Sequence, residues 1–334
     1  MSYKDFQQRV YSYLIKYKKE NLKIERKGIS ARGVEHDCLF PKPYCDAKTP
    51  VMFYEGIKAI VNEMQESKFA YKPHLAASVH VASSQTACIN LFVPILESEY
   101  ADQILKKSKV TPNGFDHIDR EQFRKGYCFE YWDSSLEGTK GLLGDHSPHA
   151  GTDSDVAIAY RNKNNKLCLW LIEHKLTERE FTTCGGYRSK GISNSEKTDC
   201  TSCGIKEILE NHDKCYYHKH CGYNYWKIME VQSLFFSGKH KGNGCPFRGG
   251  LNQLWRNQLL ALELENRGVF EEVYFSVVSH PENTFLDKTM NEYRELTNHS
   301  VKFYDFKSDV LVDVAVDYLP DWSNWYKKVY LGID

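Results

Sequence analysis

The chain has 334 residues, of which 41 % are hydrophobic, 26 % charged and 13 % aromatic, with 44 Lys+Arg against 44 Asp+Glu. Such a length can bury a sizeable core in one large domain or two modest ones, and this composition excludes a disordered chain. The balanced charge removes any bulk electrostatic argument for nucleic acid, so a basic surface has to be local. No apolar run approaches the roughly 20 residues of a membrane span. The opening MSYKDFQQRVYSYLIKYKKE reads as an amphipathic helix without the apolar centre and small-residue cleavage site of a signal peptide, so a cytoplasmic protein is expected. In that compartment the 11 cysteines stay reduced, and their clustering points to metal rather than to disulfides.

In chain order, apolar spacing predicts helices over 3–20, 51–66, 84–97 and 100–108, so the first third reads as helical. The pattern then changes. GYCFEYW, from residue 126, alternates as a strand does. DVAIAY (155–160) and LCLWLIEHK (167–175) are two further strands, and the short polar link RNKNNK makes them a hairpin. A loop-rich stretch, 182–248, carries two short helices at 204–211 and 222–236. After it come a helix in GGLNQLWRNQLLALELENRG, a strand at 271–279, a helix at 284–297, the strand SVKFYDF and a helical tail. That order specifies an α/β (α+β) fold with a mixed central sheet.

The hairpin holds the chemistry. Asp155 begins one strand, and Glu173 and Lys175 lie near the end of the next. Side chains alternate along a strand, so Glu173 and Lys175 share a face and His174 points away. Two carboxylates and an ammonium then surround a small space. Mg²⁺ or Mn²⁺, which prefer oxygen donors, fit Asp155, Glu173 and the main-chain carbonyl of His174, and Lys175 can act electrostatically on a bound phosphate or orient water. Glu-x-Lys alone is a weak signal, since Glu25–Lys27 and Glu66–Lys68 repeat it. A surface hairpin with a solvated ion pair would carry the same letters. Asp153, two residues before Asp155, is either an auxiliary ligand or a turn cap.

TDSDVAI followed by LWLIEHK resembles motifs II and III of the PD-(D/E)XK nuclease superfamily, and CPFRGGLNQLWRNQLLALEL is similar to a branch of restriction endonucleases within it. The resemblance is best over 126–280. Ser154 stands where the named motif has proline. The resemblance implies a restriction-endonuclease-like core, with Asp155 and Glu173 as metal ligands and Lys175 as the catalytic lysine. It makes Glu130 the first acidic position, with Glu137 and Asp145 as weaker choices. It places a Gln of the following helix, Gln253 or Gln258, near the scissile phosphate. Arg256 can contact phosphate, and a polar helix face in water is the alternative. Gln85, at the head of the helix capped by Ser83 or Ser84, resembles a polar position of the same branch. Cutting both strands of DNA would be compatible with a homodimer.

Cys184, Cys200, Cys203, Cys215, Cys221 and Cys245 crowd the 182–248 insert, and Cys200-Thr-Ser-Cys203 has the spacing of a zinc knuckle. Any four could hold Zn²⁺, which would offset the insert's few apolar residues. The resemblance offers a 4Fe-4S cluster as the alternative, because some related nucleases carry one. Residues 181–256 hold eleven Lys/Arg against six Asp/Glu with interleaved aromatics, so Lys190, Lys241, Arg248 and Arg256 are candidates to contact nucleic acid.

These readings give a helical region 1–120 packed on a nuclease core 121–334, with the cysteine-rich insert inside the core. The expected function is metal-dependent hydrolysis of DNA phosphodiester bonds by a restriction-type or defence endonuclease. A non-catalytic nucleic-acid-binding protein with a structural metal module is the competing reading, and a metal-stabilised scaffold a third.

Overall fold

The computed structural model describes residues 1–333 other than 46–49, 67–77, 134–138, 148–149, 189–202, 233–235 and 237–243. The elements that position the site are helices α1 (Tyr3–Glu20), α2 (Lys58–Glu66), α3 (Ser84–Glu97) and α4 (Ala101–Ser108). Strands β1 (Phe115–Ile118), β2 (Tyr127–Tyr131), β3 (Ser154–Asn162) and β4 (Leu167–Lys175) follow. Short helices α5 (Ile205–Glu210) and α6 (Tyr225–Val231) precede α7 (Leu251–Asn266), β5 (Val273–Ser279), α8 (Asp287–Leu296) and β6 (Phe303–Lys307). The tail is α9 (Ser308–Ala315), α10 (Pro320–Tyr326) and a last π-helical turn, Lys327–Leu331.

The six-stranded sheet runs β1-β3-β4-β5-β6, with β2 also paired to β3. β1 takes the far end of β3, from Tyr160 to Asn162, and β2 takes its near end, from Ser154 to Ile158. The hairpin is antiparallel as the polar link implies, and its turn uses Asn165 at φ 57°, a left-handed conformation that Asn tolerates. β4–β5 and β5–β6 are parallel, so the sheet is mixed, as the order of elements predicts. Eight of the nine residues of β4 are buried, as befits a central strand with both faces covered.

Alternation along β3 and β4 divides the core. Val156, Ile158, Trp170 and Ile172 join one hydrophobic cluster with α1, α3, α9 and the C-terminal turn; Ala157, Ala159, Leu169 and Leu171 join another with α6, α7 and α8. α1 starts on a capping box between Ser2 and Asp5 and buries Phe6, Val10 and Leu14 along one stripe. α3 is apolar almost all round, and its buried Asn90 donates to the Met52 carbonyl and the Tyr330 hydroxyl. The N-terminal third and the tail thus share one cluster.

Three local expectations change. The helix expected over 51–66 begins at Lys58 after a 3-10 turn, because the Asn90 side chain takes the Tyr54 N–H. The first third is not wholly helical: FDHI, too polar to read as a strand, is the edge strand β1. The described apolar residues of the insert do not pack alone. Tyr225, Trp226, Ile228, Met229 and Phe247 pack into the same cluster as Leu254 and Trp255 of α7, and Phe247 stacks on Trp255 at 3.9 Å. Periodicity within the insert could not show this, because its apolar residues are satisfied by a helix that follows it in sequence.

Candidate active site

The hairpin places Asp155 at the start of β3, and its carboxylate accepts the His174 backbone N–H at 2.7 Å. That bond ties the first carboxylate to the strand bearing the second. Glu173 and Lys175 face the α7 side, 4 % and 8 % exposed, with Lys175 Nζ 2.8 Å from Glu173 Oε1. α7 completes the Glu173 shell: Gln253 Nε2 donates to Oε1 and Asn257 Nδ2 to Oε2, each at 2.7 Å. The two amides are one helical turn apart on one face. Gln253 is itself oriented by the Thr182 N–H donating to its Oε1 at 2.9 Å.

Glu130 lies between the pairs Phe129–Val156 and Tyr131–Ser154, opposite Asp155. Its φ of 51° is left-handed, a conformation costing a non-glycine residue about 1–3 kcal/mol. From the head of α3, Gln85 Nε2 donates to Glu130 Oε1 at 2.7 Å. The neighbouring Ser84 hydroxyl donates to the His174 carbonyl at 3.1 Å and lies 3.2 Å from the His174 ring.

The electrostatics follow from crowding. Burial, then Glu173 and Glu130, push the Asp155 carboxyl well above the ordinary range, against Lys175 and the His174 N–H. Burial works against the Lys175 charge too, but the Glu173, Glu178 and Asp155 carboxylates outweigh it and raise its pKa. Lys175 is therefore a fixed cation and not a base near neutrality. His174 is pushed down to about 3 by burial, Lys175 and His280, and stays neutral on the far face.

Among the described residues no group of three or more His, Cys, Asp or Glu side chains is arranged to hold a metal ion. The two hairpin carboxylates nevertheless fit a hard divalent cation, which needs only one or two carboxylates when water and substrate phosphate complete its shell. The raised Asp155 carboxyl records desolvation first and then the neighbouring Glu173 and Glu130 charges, a repulsion that such an ion would offset. Of the cysteines, Cys184, Cys215 and Cys245 line one apolar cavity walled by Trp226, Phe247 and Trp255. Cys203 and Cys221 are half-buried and are not among its lining residues. Cys200 lies outside the described residues.

Several expected positions are occupied differently. Arg256 is turned into a buried network: Nη1 donates to Thr152 Oγ1 at 3.0 Å and lies 3.8 Å from Asp145 Oδ2, which also accepts from Thr152 and from the Tyr225 hydroxyl at 2.6 Å. Its polar neighbours are those of a buried network, not of a solvated helix face. Asp145 is committed to the same network, and Asp153 Oδ1 to His146 Nε2 at 2.8 Å. Gln258 is fully buried, with neither amide atom hydrogen-bonded. Arg248 is exposed; Glu137, Lys190 and Lys241 lie outside the described residues. Sequence reasoning assigned no role to Asn257, gave Ser84 only a helix cap and gave no mechanism for Gln85. The four-residue spacing from Gln253 was the one signal for Asn257.

No curated protein and no solved structure matches the chain. A family model described as Restriction Endonuclease associating with ARP matches residues 15–331, far beyond the 126–280 of the motif resemblance and including every residue of the centre. The chain belongs to this family of restriction endonucleases associating with ARP.

Proposed function

We propose that this protein is a metal-dependent nuclease that hydrolyses DNA phosphodiester bonds in restriction or defence, with Asp155, Glu173 and Lys175 at its centre. The observation that carries the reading is the convergence of a half-buried carboxylate, Asp155, a buried one, Glu173, and a buried lysine at one end of a central strand, with amides fixing both oxygens of Glu173. Family membership supports a nuclease, and the association with ARP in the family's description is carried to this chain as part of the proposal.

Mg²⁺ or Mn²⁺ would be held by Asp155 and Glu173, with the His174 carbonyl or Glu130 as further oxygen donors, and would supply a lowered water pKa and charge neutralisation at phosphorus. The chain's own groups do the rest. Gln253 and Asn257 stop Glu173 from rotating. Lys175, anchored on Glu173, presents a fixed positive charge to the phosphate, where charge grows during in-line attack. Gln85 holds Glu130 beside Asp155, and Ser84 fixes the His174 carbonyl. The test is cleavage of mixed plasmid, linear and single-stranded DNA by wild type and Asp155→Ala, with Mg²⁺, Mn²⁺ or EDTA. Cleavage that requires metal and disappears in the variant supports the reading; metal-independent cleavage, or cleavage by the variant, overturns it.

The three cysteines around one cavity keep a second, structural metal in the proposal, zinc or alternatively an iron–sulfur cluster. Elemental analysis finding zinc, or iron with sulfide, supports it; finding neither removes it. DNA binding without cleavage under every metal condition would favour a non-catalytic DNA-binding protein.

A further inference from the structure

Of the six tryptophans, five belong to the two hydrophobic clusters, whereas Trp132 is half-buried and joins neither. It follows the last residue of β2, two positions after Glu130. Because Tyr131 pairs with Ser154, Trp132 lies across from Asp153, two positions before Asp155. Its indole is stacked on the His146 ring, centroids 3.6 Å apart and planes 11° from parallel, and His146 is anchored through Nε2 to Asp153 at 2.8 Å.

Two glycines make room for this pair. A Cβ at Gly151 would lie 2.4 Å from His146 Cδ2, and one at Gly141, whose φ is +69°, would lie 3.2 Å from Trp132 Cε3. Trp132 lies outside both hydrophobic clusters, is oriented by an anchored histidine and sits beside the strand end that carries Asp155, a placement that suits a binding surface. Stacking on aromatic side chains is how proteins hold bases that have left the helix.

We propose that Trp132 is a stacking platform for an unstacked nucleobase adjoining the scissile phosphate, so that the nuclease acts on single-stranded or locally opened DNA. The proposal rests on the nuclease reading for its substrate but not for its test. His146 fixes the plane of the indole, Asp153 fixes His146, and the sugar–phosphate next to the stacked base would be delivered toward Asp155 and Glu173.

The experiment is binding of a fluorescein-labelled oligodeoxythymidylate and of its abasic analogue in EDTA, where no cleavage occurs. Trp132→Ala is expected to weaken binding of the base-bearing strand about tenfold, and Trp132→Phe to retain most of it. The abasic strand should not distinguish the variants. Gly151→Ala, which displaces His146 without touching Trp132, should reproduce the loss. A loss confined to the single strand identifies a single-stranded substrate. An equal loss on a blunt duplex of mixed sequence identifies an extruded base. Equal affinity of wild type and Trp132→Ala for the base-bearing strand overturns the platform, and so does an equal loss on the abasic strand. Binding with this signature but no cleavage on adding Mg²⁺ would leave the platform standing and sink only the nuclease reading.

Discussion

Replacing Lys175 by Met keeps most of the aliphatic stem and removes the charge. In the wild type Nζ lies 2.8 Å from Glu173 Oε1, with the two side chains 10 % and 5 % exposed. Breaking a buried pair from one side typically costs about 3–5 kcal/mol, because the other charge is left behind. Here Glu173 keeps the amides of Gln253 and Asn257, so the lower figure of about 3 kcal/mol is expected, a fall of roughly 4 °C in melting temperature. The fold survives such a loss. Lys175 also holds the raised Asp155 carboxyl down, so its removal lifts that group further. A raised carboxyl contributes stability that is complete below its unfolded value and is lost as pH rises through its folded value. The deficit should therefore be widest at alkaline pH and narrow on acidification. Thermal melts in EDTA across pH measure it, and single-turnover cleavage in Mg²⁺ should fall about 100- to 1000-fold, the usual cost of one electrostatic contact to the transition state. Undiminished turnover would sink the role given to Lys175, and a melting temperature equal to wild type at every pH would refute the buried pair.

Asp155→Asn keeps an acceptor for the His174 N–H but cannot ionise. In EDTA it should be more stable than wild type at about pH 8, with the gain gone near about pH 4, while Mg²⁺ should raise the melting temperature of wild type alone. A variant less stable than wild type at alkaline pH would contradict the crowding argument. Asn257→Leu leaves one oxygen of a buried carboxylate without its donor, so it should cost about 1–3 kcal/mol and lower kcat more than DNA affinity; a change in affinity alone would place Asn257 on the substrate instead. Arg256→Met removes the cation beside Asp145, which keeps its Thr152 and Tyr225 donors, and should cost about 3 kcal/mol by denaturant titration. The salt dependence of DNA binding should not change, whereas a phosphate contact would lower its slope by about one.

The hairpin was legible because its signals are local: period-2 alternation fixes which of Glu173, His174 and Lys175 share a face, and a short polar link fixes antiparallel pairing. The helix after the insert was legible for the same reason, and so was its polar face. What that face meets was not. Its polar stripe of Gln253, Arg256 and Asn257 looks like a solvated or phosphate-binding surface in isolation. In the fold the sheet and insert cover it, so Gln253 and Asn257 meet Glu173 while Arg256 meets Asp145, Thr152 and Tyr225. Gln85 and Ser84 were hidden by distance: they act on Glu130 and His174, 45 and 90 positions away. The strand Phe115–Ile118 was missed because Asp116 and His117 dilute a four-residue pattern, and its pairing with β3 decides its conformation.

The costs in this molecule are not spread evenly. Glu130 holds a left-handed φ that its side chain does not favour, the half-buried Asp155 is crowded by two other carboxylates, and Lys175 is desolvated to meet them. A neutral or apolar side chain at Asp155 would relieve the repulsion and suit the packing of Ala157 and Leu171 beside it better. Elements from both layers converge to hold this unfavourable arrangement: α3 through Gln85 and Ser84, and α7 through Gln253 and Asn257. Strain and like charge confined to a few residues and braced from both sides are what a preorganised site requires, and folding by itself gives no reason to keep them. The same bracing means that the centre exists only while both helices are docked on the sheet, so loosening either layer should abolish activity before it unfolds the chain.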